Sequence, residues 1–106
     1  MSREKLSVEQ IMAELQSLPG WKLIYGGKLL KLFHFKTFAE AFSLLAAVAI
    51  EAEKMNHHPE MRNVYTMDEF ILTTHDADGL TELDIALARK IEALAKHALS
   101  HPQTES

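Results

Sequence analysis

The 106-residue sequence contains no cysteine, which excludes disulfides, thiol catalysis, iron–sulfur clusters and cysteine-bound zinc together. Long hydrophobic runs are missing as well. The longest, Leu44 to Ile50, is far too short to cross a bilayer. The first 20 residues hold no uninterrupted apolar segment, so no signal peptide is expected. Positive charge is scarce: 11 Lys and Arg stand against 15 Asp and Glu, a formal net charge of −4. A nucleic-acid binder would carry a basic stripe, and a binder of anionic membranes a basic patch, so neither partner is expected. No repeat, linker or low-complexity stretch is visible. What is present suits one folded domain over residues 1–106, with 47% hydrophobic and 25% charged residues and a polar tail at 101–106 expected to fray. A core of this size is modest, and assembly with further copies would help to complete it. The expectation is a compact cytoplasmic domain. Its 6 histidines are many for so short a chain.

The chain punctuates itself clearly. Ser7 with Gln10 fits a capping box, each side chain satisfying a backbone N–H at a helix start. Val8, Ile11, Met12 and Leu15 then make one apolar stripe, and Pro19-Gly20 ends the helix. Trp21 to Tyr25 reads as a strand, Gly26-Gly27 as a tight hairpin turn, and Lys28 to Lys36 as the return strand. Thr37 with Glu40 opens a long helix from about Phe38 to Asn56. Phe38, Phe42, Leu45, Ala49 and Ala52 form one face of it, and Leu44, Val48 and Met55 another. A helix apolar almost all round needs cover on more than one side, and a partner subunit is the expected second cover. Pro59 closes this segment. Strands are predicted from about Arg62 to Met67 and from about Glu69 to His75, reversing at Met67-Asp68-Glu69. Asp76 to Leu80 is a loop, and Thr81 with Asp84 resembles another helix start. The order α-β-β-α-β-β-α predicts the α+β class: a four-stranded antiparallel sheet with helices packed on one face.

Chemistry concentrates in Glu53-Lys54-Met55-Asn56-His57-His58-Pro59. Imidazoles titrate near neutrality, as proton transfer requires, and a helix C-terminus favours their cationic form. His58 precedes proline, so its backbone leaves the helix and the two rings need not point the same way. His75 ends a strand, and the topology allows His57, His58 and His75 to surround one cleft. His34 shares a strand face with Leu30 and Leu32 and reads as structural, while His97 and His101 read as solvated. A histidine-bound zinc or iron is disfavoured, because the adjacent rings of His57 and His58 diverge and no H-x-H spacing occurs. There is no Gly-x-Ser-x-Gly elbow and no glycine-rich phosphate loop. From the residues alone, the reading ends at a small acidic α+β domain with a histidine acid–base site.

At these same residues the sequence resembles the pterin-4a-carbinolamine dehydratases, over roughly Leu6 to Ala95. Glu53, His57, His58 and Pro59 match the opening of the family pattern, Tyr65 its aromatic, His75 its next histidine and Asp84 its closing aspartate. Phe33-His34-Phe35-Lys36 with Phe38, Asn63-Val64-Tyr65, Thr74-His75 and Gly79-Leu80-Thr81 fit too. One departure is Met61, where many members carry tryptophan; a flexible apolar side chain replaces a rigid ring wall. The resemblance implies a carbon–oxygen lyase that converts 4a-hydroxytetrahydropterin to quinonoid dihydropterin plus water, in recycling of a tetrahydrobiopterin-type cofactor. By that analogy His57 and His75 are the acid–base groups and His58 orients the substrate or shares proton traffic. Glu53, Pro59, Met61 and Thr74 would bind the pterin. The chemistry asks for no metal and no cofactor. A homodimer or homotetramer is implied, with an aromatic amino acid hydroxylase as a further expected partner. The alternative is a non-catalytic dimerisation cofactor of a transcription factor, a role that animal members of the family also have, with the long helix as contact surface. An accessory role in molybdopterin metabolism is a third reading.

Overall fold

The computed structural model describes residues 2–100, with side chains placed through His97. Seven regular elements follow the predicted order: α1 (Val8–Leu15), β1 (Lys22–Ile24), β2 (Lys28–His34), α2 (Phe38–Met55), β3 (Glu60–Val64), β4 (Met67–Leu72) and α3 (Glu82–Ser100). A single 3-10 turn, His75–Ala77, joins β4 to α3. The strands form one sheet in the order β1-β2-β4-β3, every neighbouring pair antiparallel. The helices cover one face of it. Leu29, Phe33, Phe70 and Leu72 point into that covered side and are buried, whereas Leu32 and Val64 on the other face are 43% and 52% exposed.

The helix starts lie where local chemistry sets them. Ser7 Oγ accepts from the Gln10 N–H while Gln10 Oε1 accepts from the Ser7 N–H. Thr37 and Glu40 do the same for α2. Such reciprocal bonds satisfy N–H groups that a helix leaves without partners. The core-facing line of α2 is Ala41, Leu44, Val48 and Ala52. Of the other expected face, Phe38, Phe42 and Ala49 point to solvent with Ile50 beside them, while Leu45 is half-buried and Ala52 is buried. In α1 only Ile11 of the predicted stripe is buried; Val8 and Met12 face outward. A two-turn helix at the margin of the core can seal only one such position, and Leu18 and Trp21 beyond it complete the contact. Glu51 ties α2 to α3 by accepting from Lys90 Nζ at 3.2 Å. Its bonds to Lys54 and Lys90 hold that carboxyl below the ordinary carboxylate range.

Three expectations need correction. The second reversal is Tyr65-Thr66, closed by the Val64–Met67 pair, and not Met67-Asp68-Glu69. Tyr65 takes a left-handed φ of 55°. The Asn63 amide holds it there, donating to the Tyr65 and Met67 carbonyls at 3.2 and 3.3 Å. Consequently β3 begins at Glu60 and β4 ends at Leu72, so His75 lies outside the sheet. Finally, β2 ends at His34, and His34 lies exposed on the open face rather than in a structural position. The predicted fraying of 101–106 and the solvated His101 lie outside the described residues.

Candidate functional site

The His-His-Pro segment is built by the way α2 stops. Asn56 turns left-handed with φ 52°, and its N–H reaches back to the Ala52 and Glu53 carbonyls. The His57 N–H bonds the Ala52 carbonyl at 3.0 Å. Such an ending satisfies the last carbonyls and throws the chain sharply aside. His57 is thereby turned inward and is 7% exposed, while His58 points outward. Because β3 and β4 are antiparallel, with Glu60 opposite Ile71, the segment entering β3 and the segment leaving β4 lie at one end of the sheet.

Asp84, wholly buried in the first turn of α3, joins these segments. Its Oδ1 lies 2.7 Å from His57 Nε2. Its Oδ2 accepts from the Thr74 hydroxyl at 2.7 Å and from the Thr81 N–H at 2.9 Å. Thr74 has one hydroxyl hydrogen and gives it to Asp84, so the Thr81 hydroxyl, 2.9 Å away, donates to Thr74. Thr81 Oγ1 in turn accepts from the Leu83 N–H at 3.2 Å. With the carboxylate accepting, the His57 Nε2–H is directed at Asp84, and Nδ1 is the ring's other nitrogen. This closed network does two jobs: it caps α3, and it ties the His57 ring to the residue immediately before His75. Thr81 was not among the candidates, although the Thr81-x-x-Asp84 capping pattern points to it.

The other candidate residues are arranged around this buried knot. His58 Nε2 lies 2.7 Å from Glu53 Oε1, and both side chains are largely exposed. His75 is exposed on the 3-10 turn. Beside the motif lies a cleft of about 560 Å³ lined by Ala49, Ile50, Ala52, Glu53, Lys54, His58, Pro59 and Met61. Its walls are apolar aliphatic groups and its rim carries a histidine, a carboxylate and an ammonium group. Glu53, His58, Pro59 and Met61 are therefore brought together. His57 and His75 do not line this cleft, and Thr74, expected to bind substrate, commits its buried hydroxyl to Asp84. Among the described residues no three His, Asp or Glu side chains converge as metal ligands would, and no helix is long and apolar enough to cross a membrane.

The family model described as pterin 4 alpha carbinolamine dehydratase matches residues 4–94, which takes in every element from α1 to most of α3. The chain belongs to this family. A relative from Rhizobium meliloti (strain 1021), named "Putative pterin-4-alpha-carbinolamine dehydratase", is 50% identical over 97 residues, 91% of this chain and 93% of its own. Among solved structures, the transcriptional coactivator/pterin dehydratase from Brucella melitensis superposes with a TM-score of 0.83 at 40% identity, covering 87% of this chain and 99% of its own. A pterin dehydratase-like protein described as a RuBisCO assembly factor in the alpha-carboxysome has a TM-score of 0.63 at 27% identity, covering 72% of this chain and 89% of its own. The dehydratase family thus includes members named for protein contacts beside members named for the reaction.

Proposed function

We propose that this chain is a 4a-hydroxytetrahydropterin dehydratase working by histidine acid–base catalysis. The observation that carries the reading is the Asp84 carboxylate, which holds His57 and Thr74, the residue before His75, in one network. Hydroxide is a poor leaving group, so the 4a-oxygen takes up a proton as its C–O bond breaks. The neighbouring ring nitrogen gives up a proton as C=N forms. Two groups that titrate near neutrality suffice, each contributing about 10²–10⁴-fold. His57, its ring fixed by Asp84, and His75, open to solvent, are the proton-transfer pair. His58, steadied by Glu53 and followed by Pro59 and Met61, orients the pterin. No metal or redox cofactor enters this scheme. The role it serves is recycling of a tetrahydrobiopterin-type cofactor beside an aromatic amino acid hydroxylase.

The test is turnover of 4a-hydroxytetrahydropterin by the purified chain, with His57→Ala, His58→Ala and His75→Ala beside it. Acceleration over spontaneous dehydration is expected, with a loss of about 10²-fold or more in the His57 and His75 variants. A chain that gives no acceleration, or full activity in both of those variants, overturns the assignment. A second reading has its own support: Phe38, Phe42 and Ile50 form an exposed apolar face on α2, and the Brucella relative is described as a coactivator. An inactive chain that still binds a helical partner through this face would favour a dimerisation cofactor. The same face is the proposed contact between copies in a homodimer or homotetramer.

A further inference from the structure

His75 sits on the stretch between β4 and α3, and that stretch is fastened from a direction the catalytic motif does not supply. The β1–β2 hairpin turn lies against it, backbone to backbone. The Thr73 hydroxyl donates to the Gly27 carbonyl at 2.9 Å. A Cβ added to Gly27 would meet the Gly79 Cα at 3.2 Å, closer than nine in ten such contacts, and Gly27 has a φ of +68°. The loop closes on itself between the same two points: the Thr74 N–H bonds the Gly79 carbonyl at 3.0 Å, and the Gly79 N–H returns to the Thr74 carbonyl at 3.4 Å. The Ala77 and Asp78 N–H groups bond the Thr74 and His75 carbonyls at 3.1 and 3.0 Å. The loop therefore has its two ends, Thr73 and Gly79, pressed against one glycine of a distant hairpin. Among the described residues the His75 side chain has no hydrogen-bond partner. Its position is set by the backbone beneath it.

We propose that Gly27 and Thr73 are positioning residues for His75, a backbone brace through which the β1–β2 turn fixes the loop that presents this imidazole. The proposal rests on reading His75 as an acid–base group and adds Thr73 and, 46 positions before it in sequence, Gly27. Only glycine gives the turn both the left-handed backbone and the close approach, and only a hydroxyl at position 73 supplies the side-chain bond to the Gly27 carbonyl. Geometry matters at this scale because a displacement of about 1 Å in a reacting group is worth up to ~10²-fold in rate.

The test compares Thr73→Val, Thr73→Ser and Gly27→Ala in the full chain. Two readouts are taken: amide hydrogen exchange of residues 74–79, and steady-state turnover of 4a-hydroxytetrahydropterin across pH. Thr73→Val and Gly27→Ala are expected to speed exchange at Ala77, Asp78 and Gly79 while the core strands stay protected. In both, kcat falls about tenfold with a smaller change in KM. Thr73→Ser keeps the hydroxyl and restores exchange and kcat together. Exchange at 74–79 unchanged in both variants overturns the brace, as does a kcat loss that Thr73→Ser fails to rescue. A wild-type chain without turnover overturns the dehydratase reading instead, and the exchange rates still decide the brace by themselves.

Discussion

Replacing Asp68 by valine should make this protein more stable, against the usual outcome for a buried substitution. Asp68 is wholly buried on the inner face of β4. Its Oδ1 accepts from the Asn63 amide at 2.9 Å, and its Oδ2 has no partner among the described residues. An unsatisfied buried polar atom costs about 1–3 kcal/mol, and more when charged, whereas the single Asn63 bond returns about 1 kcal/mol. Valine removes both, for a net gain of up to roughly 2 kcal/mol and a rise of up to about 10 °C in melting temperature. The effect has a pH signature. Burial pushes the Asp68 carboxyl above its ordinary range, the Asn63 bond pulling it only partly back. A folded state that holds its proton more tightly than the unfolded chain is favoured at low pH and penalised as pH rises through the folded-state pKa. The advantage of Asp68→Val is therefore largest at neutral pH and narrows as pH falls toward ~4. Urea denaturation or calorimetry at several pH values measures it. A variant less stable than wild type at pH 7, or a gap that does not change with pH, would refute the reasoning.

Further consequences are as direct. Asp84→Asn disturbs the hold on His57 and is expected to lower kcat about 10²-fold and stability by about 1–3 kcal/mol, read by turnover and by denaturant midpoint. Thr37→Ala removes the α2 cap and should cost about 1 kcal/mol without changing KM. Phe70→Ala empties the centre of the covered face and should cost about 3–5 kcal/mol in urea denaturation. Phe42→Glu or Ile50→Glu should reduce the mass seen by light scattering to that of a single chain if copies meet through α2, and an unchanged mass would place the contact elsewhere.

Much of the architecture is legible in residue patterns whose physics is local. Ser7 with Gln10 and Thr37 with Glu40 announce helix starts because the bonds they make lie within one turn. Gly26-Gly27 announces a hairpin because both residues carry positive φ. The second hairpin is harder to place although its physics is also local: an aromatic residue seldom occupies left-handed backbone, and Tyr65 is held there by the side chain of Asn63, two residues before it. Alternation in β2 shows two faces but not which one the helices cover. The same divide runs through the candidate site. The residue types and spacing of Glu53, His57, His58, His75 and Asp84 are visible in the sequence. That His57 turns inward to Asp84 while His58 faces a cleft depends on the left-handed Asn56 and on where α3 begins, both settled by packing.

A sheet roofed by helices on one side only has an uneven memory of its sequence. Along β2 and β4 every second position, from Leu29 to Phe33 and from Asp68 to Leu72, is locked among neighbours. The positions between them, such as Leu32 and His34, look out from the bare side. Substitutions should therefore be forgiven and punished in strict alternation down these strands. The bare side offers room to graft labels or new charges without touching the interior, and a saturation scan of β2 and β4 would make that two-beat rhythm audible.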